Sequence, residues 1–449
     1  MGDYLYKCKR VTFGIETWFA ACCCKCQKSE TKENAVSTPS PIAASPPTSA
    51  VASRSKIVMM AIIAGAVITN IYCTQPILPL IAAGLRINLT TVDFVAGAAL
   101  LGFSTGLALL LPLGDRFDRR KLVLAQIALA FAFAIAAAVA PGIWALIAAS
   151  FGLGIVSCVP QQLVPFAAVM SLPSDRGRSV GTVVSGIMVG ILLGRTVAGV
   201  VGAAYGWRAV YALEAVFMVP VWIAAASLLP RGVPSTNLSY GRLLASLWPL
   251  VRDNRPIRES MMIQALLWAC FNAFWVNLAA LLANGPHHLG SAWAGGFGII
   301  GAAGAFAASL GGRATDRLGP RAVIAASIGI TTLAYVLLSG AESSLALLVI
   351  GVVVLDIGVQ AGLVSNQTRA FAVDPKAQGR INSLYMTATF FGGAIGATVS
   401  GWLMTRFGWT GIVVFGIALG LVASALHWIA TPRRTGGGRS PDSGAPIKA

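Results

Sequence analysis

The chain has 449 residues, 56% of them hydrophobic and only 11% charged. Soluble domains carry about 25% charged residues, so composition excludes a soluble enzyme or binding module. The net charge of +17 does not mark a nucleic-acid binder either. Basic residues cluster in alternate gaps between apolar runs and so report topology instead.

Apolar runs near twenty residues, enough to cross a hydrocarbon core, recur along the chain and predict twelve transmembrane helices. Residues 1–55 precede them as a polar tail rich in Ser, Pro and Ala, expected to be disordered and cytoplasmic. Cys22, Cys23, Cys24 and Cys26 lie there, too cramped for a standard zinc site. No metal site and no cofactor is expected.

Helix 1, near 57–84, carries Asn70, Tyr72, Thr74 and Gln75 just before Pro76 and Pro79. Lipid cannot satisfy such side chains, so they line a cavity or bind one helix to another. Helix 2, near 93–113, has Gly102 and Gly106 at the spacing of close helix contact. Helix 3, near 122–141, is bland, and helix 4, near 143–171, is interrupted by Pro160, Gln161, Gln162 and Pro165. Gly186, Gly190 and Gly194 form a stripe on helix 5, near 179–204, which also holds Arg195. Helix 6 follows Gly206-Trp207 and contains Glu214. Arg195 and Glu214 are nearly equidistant from the intervening turn, so an antiparallel hairpin places them at one depth and predicts a buried ion pair. The alternative is Arg195 acting alone on an anionic substrate.

Residues 231–259 form a basic connecting segment, read as cytoplasmic, with an amphipathic piece around Leu243, Leu244, Leu247 and Trp248. Helix 7, near 260–284, places Gln264, Trp268, Asn272 and Trp275 on one polar-aromatic face. His287 and His288 stand in an external turn. Helix 8, near 291–312, is glycine-rich, and helix 9, near 321–340, is bland. Helix 10, near 343–372, carries Asp356 about 20 Å along its length, close to the bilayer midplane, with Gln360 one turn on. A carboxyl at that depth is a candidate for loading and releasing protons, the alternative being a packing role. Helices 11 and 12, near 380–405 and 409–430, precede a tail from 432 that is expected to be disordered.

The second half repeats the first. Asp115, Arg116, Arg119, Arg120 and Lys121 form a charged turn between helices 2 and 3, and Asp316, Arg317 and Arg321 form its counterpart between helices 8 and 9. Gly206-Trp207 recurs as Gly408-Trp409, and Asn70, Tyr72 and Gln75 align with Asn272, Phe274 and Asn277. The charged turn resembles the loop between helices 2 and 3 of the major facilitator superfamily. It departs from that pattern at Leu111 and Asp118, where the family has glycine and where the second copy keeps Gly312 and Gly319. The run Gly190 to Gly199 is similar to the superfamily's antiporter motif, with Arg195 for its proline and Ala198 for one glycine.

The resemblance implies an all-α integral membrane fold: twelve transmembrane helices in two pseudo-symmetric six-helix bundles, residues 56–230 and 260–431. It implies a secondary active transporter working by alternating access, by default coupled to protons, with efflux of a small organic compound ahead of uptake by symport. A non-transporting sensor is a further alternative, and a membrane enzyme is not expected. Asn70, Tyr72, Thr74, Gln75, Gln161, Gln162, Gln264, Trp268, Asn272, Trp275 and Gln360 are the expected cavity residues, and Asp356 the proton site. Asp115, Arg116, Arg119, Arg120, Asp316, Arg317 and Arg321 are the expected cytoplasmic gate, which the resemblance assigns to steadying the outward-open state. Expected partners are a small-molecule substrate, protons and the lipid bilayer. A monomer in the bacterial inner membrane is expected, with both termini cytoplasmic, since only Arg86, Arg208 and Arg406 fall in outside turns.

Overall fold

The apolar runs fold as helices because, in hydrocarbon, each backbone group must find its partner within its own segment. The computed structural model describes residues 54–172, 175–229, 239–284, 289–301, 303–374 and 377–430. Within these, the side chains of Asp115, Asn284, Ala430 and residues 303–309, and the surroundings of Gly301, are not among those described. The cysteine-rich tail, His287, His288 and the segment from 432 lie outside the described residues.

The first half runs through α1 (Arg54–Tyr72), a 3-10 turn (Gln75–Ile77), α2 (Leu78–Leu85), α3 (Leu89–Arg116), α4 (Arg119–Ala138), α5 (Ile143–Val156), α6 (Val159–Val169), α7 (Arg176–Tyr205) and α8 (Trp207–Leu228). Two short helices, α9 (Tyr240–Ala245) and α10 (Leu247–Asp253), lead to the second half. There α11 (Arg255–Asn284), α12 (Ser291–Gly301), α13 (Ala303–Leu318), α14 (Pro320–Leu338), α15 (Leu345–Phe371) and α16 (Gln378–Ala430) follow. Ten of these stretches are long and apolar enough to span a membrane. One of the ten, α16, is two helices folded at Gly408, where φ is 63°. Together α12 and α13 stand where the eighth helix was expected. Counting α16 as two gives eleven spans among the described residues, and the short α12 with α13 occupies the place of the twelfth, neither forming a span by itself.

Several prolines open a new helix where an apolar run is divided. Pro76 and Pro79 do not bend a continuous helix; each occupies a first-turn position of the piece that follows it. There the missing N–H costs nothing. The fourth segment likewise breaks at Ser157 and Cys158, so that Pro160 opens α6. Helix 7 begins at Arg255 and takes Arg255, Arg258 and Glu259 from the expected connecting segment.

The charged stretch is also more helical than expected. Leu111–Arg116 belong to α3, and the turn proper is Phe117 and Asp118. Asp118 has φ −58° and accepts a hydrogen bond from the Arg120 N–H at 3.0 Å, capping α4. In the second half Gly319 holds φ +82°. At the equivalent position the two copies differ: a side-chain cap where Asp replaces glycine, and a positive-φ glycine where it does not.

Packing repeats between the halves. In the first, α1 packs on α7, α3 on α5 and α4 on α8. In the second, α11 packs on the first part of α16, α13 on α15, and α14 on the second part of α16. Glycines make these contacts close. Gly186 and Gly190 rest on the backbone of Ala61 and Gly65, and Gly194 lies against Thr69, so the helix 5 stripe faces α1. Gly392 and Gly396 rest on Ala265 and Ala269 in the same way. Gly102 and Gly106 meet the α5 backbone at Phe151 and Ile155.

The halves touch through α3 with α16, α7 with α12, and the 3-10 turn with α11. Towards the end opposite the charged turns the seam is sealed. Thr90 and Thr405 share a hydroxyl bond, Asp93 abuts Gly401, Gly199 meets Ser291 and Gly295, and Gln75 Nε2 donates to Asn272 Oδ1 at 3.4 Å. The end carrying the charged turns is termed inner and the sealed end outer, after the orientation that the basic residues predict.

Candidate functional site

A cavity of about 600 Å³ occupies the inner half, between α3, α6 and α7 on one side and α15 and α16 on the other. Its wall mixes apolar residues with Gln161, Gln162, Gln360, Gln367, Asn382 and Ser383. Exposed Gln378 and Gly379 stand at its inner margin. Leu243 and Leu247 of the connecting helices reach it, while Trp248 is exposed. The volume suits a small organic molecule.

Beyond the cavity, towards the sealed end, Arg195 is buried with 4% of its surface exposed. Its Nε donates to Gln75 Oε1 at 3.1 Å. Its guanidinium carbon lies 3.8 Å from the Trp275 ring centroid, 4.9 Å from Tyr72 and 5.7 Å from Phe271. Trp275 Nε1 donates to Asp356 Oδ1 at 3.4 Å, and Asp356 acts electrostatically on Arg195. Asn272, bonded to Gln75, also donates to the Trp268 carbonyl at 3.0 Å. Trp268 stacks on Phe271 at 4.9 Å and meets Phe390 at 5.4 Å, which meets Phe103 at 4.4 Å. One polar cluster thus draws on α1, the 3-10 turn and α7 from the first half and on α11 and α15 from the second, with Phe103 of α3 and Phe390 of α16 extending its aromatic lining.

A family model for the Major Facilitator Superfamily matches residues 60–364 and 297–448. The chain is 34% identical over 372 residues to the uncharacterized transporter YgaY of Escherichia coli O157:H7, covering 83% of this chain and 94% of that one. It is 31% identical over 383 residues to the probable transporter SCO4007 of Streptomyces coelicolor, covering 84% and 89%.

The chain belongs to the major facilitator superfamily.

It is a multi-pass membrane transporter of that type. Its fold is similar to a crystal structure of the nucleoside transporter NupG, a mutant form, with a TM-score of 0.67 at 13% identity, covering 84% of this chain and 99% of that one.

The structure divides the expected cavity residues of the transporter into three groups. Gln161, Gln162 and Gln360 line the cavity. Tyr72, Gln75, Trp268, Asn272 and Trp275 join the Arg195 cluster. The remaining three face elsewhere. Asn70 Nδ2 donates to the Val67 carbonyl and Met218 Sδ, and Thr74 shares a 3.0 Å hydroxyl bond with Tyr211. Gln264 accepts from Asn366 Nδ2 at 3.4 Å. Asn70 of α1 and Thr74 just after it therefore hold the first span to α8.

The expected Arg195–Glu214 pair does not form. Glu214 Oε2 instead accepts from Thr69 Oγ1 at 2.6 Å. Equal depth on a hairpin did not fix direction: α7 turns Arg195 towards α11 and α15, and its carboxylate is Asp356.

Of the expected gate, Arg119 Nε donates to the Gly114 carbonyl at 3.1 Å and lines the cavity. Arg120 Nη2 donates to the Ala226 carbonyl. Arg116 is exposed over the Phe117 ring, and Asp316, Arg317 and Arg321 are exposed in the second copy. The Asp115 side chain lies outside the described residues.

Sequence reading passed over two features. Glu259 pairs with Arg369 across α11 and α15 with both side chains 9% exposed, and also with Arg255 at 2.6 Å. The signal was a lone acid among arginines at the start of helix 7. Asp93 is buried against Gly401 at the outer seam. It reads as an ordinary acid near a helix start until the opposing glycine is placed.

Proposed function

We propose that the protein is a proton-coupled secondary transporter that moves a small organic compound by alternating access, outward across the bacterial inner membrane. The Arg195–Trp275–Asp356 cluster carries this reading: a cation and a carboxylate, both buried, joined through one indole, with the ligand-sized cavity below them. Asp356 is the proton site and the Gln161–Gln162–Gln360 wall part of the cargo route. The sealed outer seam and the inner cavity support an inward-open reading, in which the charged turns release the latch they form when the cavity closes.

The glycine run of α7, which resembles the antiporter motif, supports the outward direction. A second reading, in which proton and cargo move together, is favoured by Arg195 standing beside Asp356. The test is reconstitution in proteoliposomes, with counterflow screened against antibiotics, sugars, amino acids and organic acids, then a pH gradient imposed on any compound exchanged. Gradient-driven accumulation is expected; exchange indifferent to pH would remove the proton from the account.

A further inference from the structure

Arg195 is a cation removed from water without a full set of partners. A guanidinium has five N–H donors. Nε is spent on the neutral Gln75, and Nη2 is buried with no partner. The usual solution, a carboxylate closing on the guanidinium fork, is not taken. Asp356 acts on Arg195 through space, but its hydrogen bond comes from the Trp275 edge, not from Arg195. Trp275 thus keeps the acid and the base adjacent and unjoined. The guanidinium is packed among the rings of Tyr72, Phe271 and Trp275. Two cavity-wall residues, Met188 of α7 and Gln360 of α15, lie on the same helices as Arg195 and Asp356. They place the cluster about one to two turns beyond the wall.

We infer that Arg195 docks the acid group of the cargo, and that the cargo is a small organic anion with an apolar or aromatic body. The inference rests on the transporter reading above. A carboxylate supplies the acceptor that Nη2 lacks and charge to match a buried cation. The rings receive the apolar body. A cationic cargo brings no acceptor for the spare donor, and a neutral one brings no charge to take over the balancing role of Asp356. The groups that bear on this charge balance are Tyr72 from α1, Arg195 from α7 and Asp356 from α15. The α11 contacts are neutral and α12 presents Gly295 and Gly298, while Glu214 on α8 is turned to Thr69. With the cargo absent, Asp356 balances Arg195. An incoming anion repels the charged Asp356 and so favours its protonated form. Proton and anion then occupy the site together, which sides with the second reading above, in which proton and cargo move together.

The experiment uses the purified full chain in detergent and matched probe pairs: benzoate with benzamide, phenylacetate with phenylacetamide, hexanoate with hexanamide. Binding is read by tryptophan fluorescence and by thermal shift. In at least one pair the acid should bind about tenfold or more tightly than its amide. Arg195→Lys should weaken that preference and Arg195→Gln abolish it; if Arg195→Gln does not fold, the Lys variant and the acid–amide comparison still decide. Equal binding of acid and amide, no binding by any acid, or an acid preference surviving Arg195→Gln would overturn the inference. Vesicle flux separates it from the reading it rests on. Acid-selective binding without flux under any gradient would defeat the transporter reading and keep the anion site. Gradient-driven flux of a neutral or cationic compound, with no acid preference, would defeat the anion site alone.

Discussion

Trp275 serves Arg195 and Asp356 at once: its face lies 3.8 Å from the guanidinium carbon and its edge donates to the carboxylate at 3.4 Å. Phenylalanine keeps a face and loses the edge donor. Trp275→Phe should therefore fold, retain exchange and alter the response to pH, whereas Trp275→Ala should lower thermal stability sharply. Truncation of a buried aromatic costs about 3–5 kcal/mol, and a buried cation–π contact adds about 2 kcal/mol. Melting temperatures in detergent should rank wild type, then Phe, then Ala. Equal losses for the two variants would show that the indole N–H, which both lack, carries the contribution and the ring face none.

Arg195 and Glu214 have separate partners, so their neutralisations should add. A double-mutant cycle on stability should give a coupling within about 0.5 kcal/mol, as for sites without a shared partner. The Arg195→Glu/Glu214→Arg swap should not rescue. A rescue would restore the pair that the hairpin geometry predicts.

The buried Glu259–Arg369 pair ties the start of α11 to the end of α15. Arg369 and Arg321 also act on His427, so the inner end of this half is crowded with positive charge. Glu259→Gln should cost about 3–5 kcal/mol, because it strands Arg369 in a buried position. Glu259→Leu combined with Arg369→Met should recover much of that loss. Chemical unfolding of the three variants checks the order, and a double variant no better than Glu259→Gln would contradict it.

Thr90 and Thr405 meet across the outer seam. A Thr90→Cys/Thr405→Cys variant, oxidised, should lock the seam, leave the inner cavity open to thiol reagents and abolish transport until reduced. Transport that persists in the cross-linked protein would mean this seam does not open.

Much of the fold was legible because the membrane makes it so: uninterrupted apolar runs, basic residues in alternate gaps, and a doubled charged turn. The glycine stripe of Gly186, Gly190 and Gly194 was legible as a close contact because no side chain lies between it and its neighbour. The cavity was less so. Asn70 and Thr74 carry the same polar signal as Tyr72 and Gln75, yet they turn to α8 while the latter pair turns to Arg195. Depth can be counted along a helix, but rotation about its axis is set by packing against neighbours distant in sequence. The Arg195–Glu214 expectation failed for that reason. The Asp118 cap was hidden for another: a departure from a glycine pattern shows what is missing, not what has replaced it.

In the proposed mechanism Asp356 joins the cluster to the proton gradient, and Asp356→Asn in proteoliposomes tests that most directly. The amide imitates the protonated carboxyl but cannot release a proton. The account predicts that the variant still exchanges cargo in counterflow and no longer accumulates it under a pH gradient. Gradient-driven accumulation by Asp356→Asn, with a pH profile like that of the wild type, would contradict it.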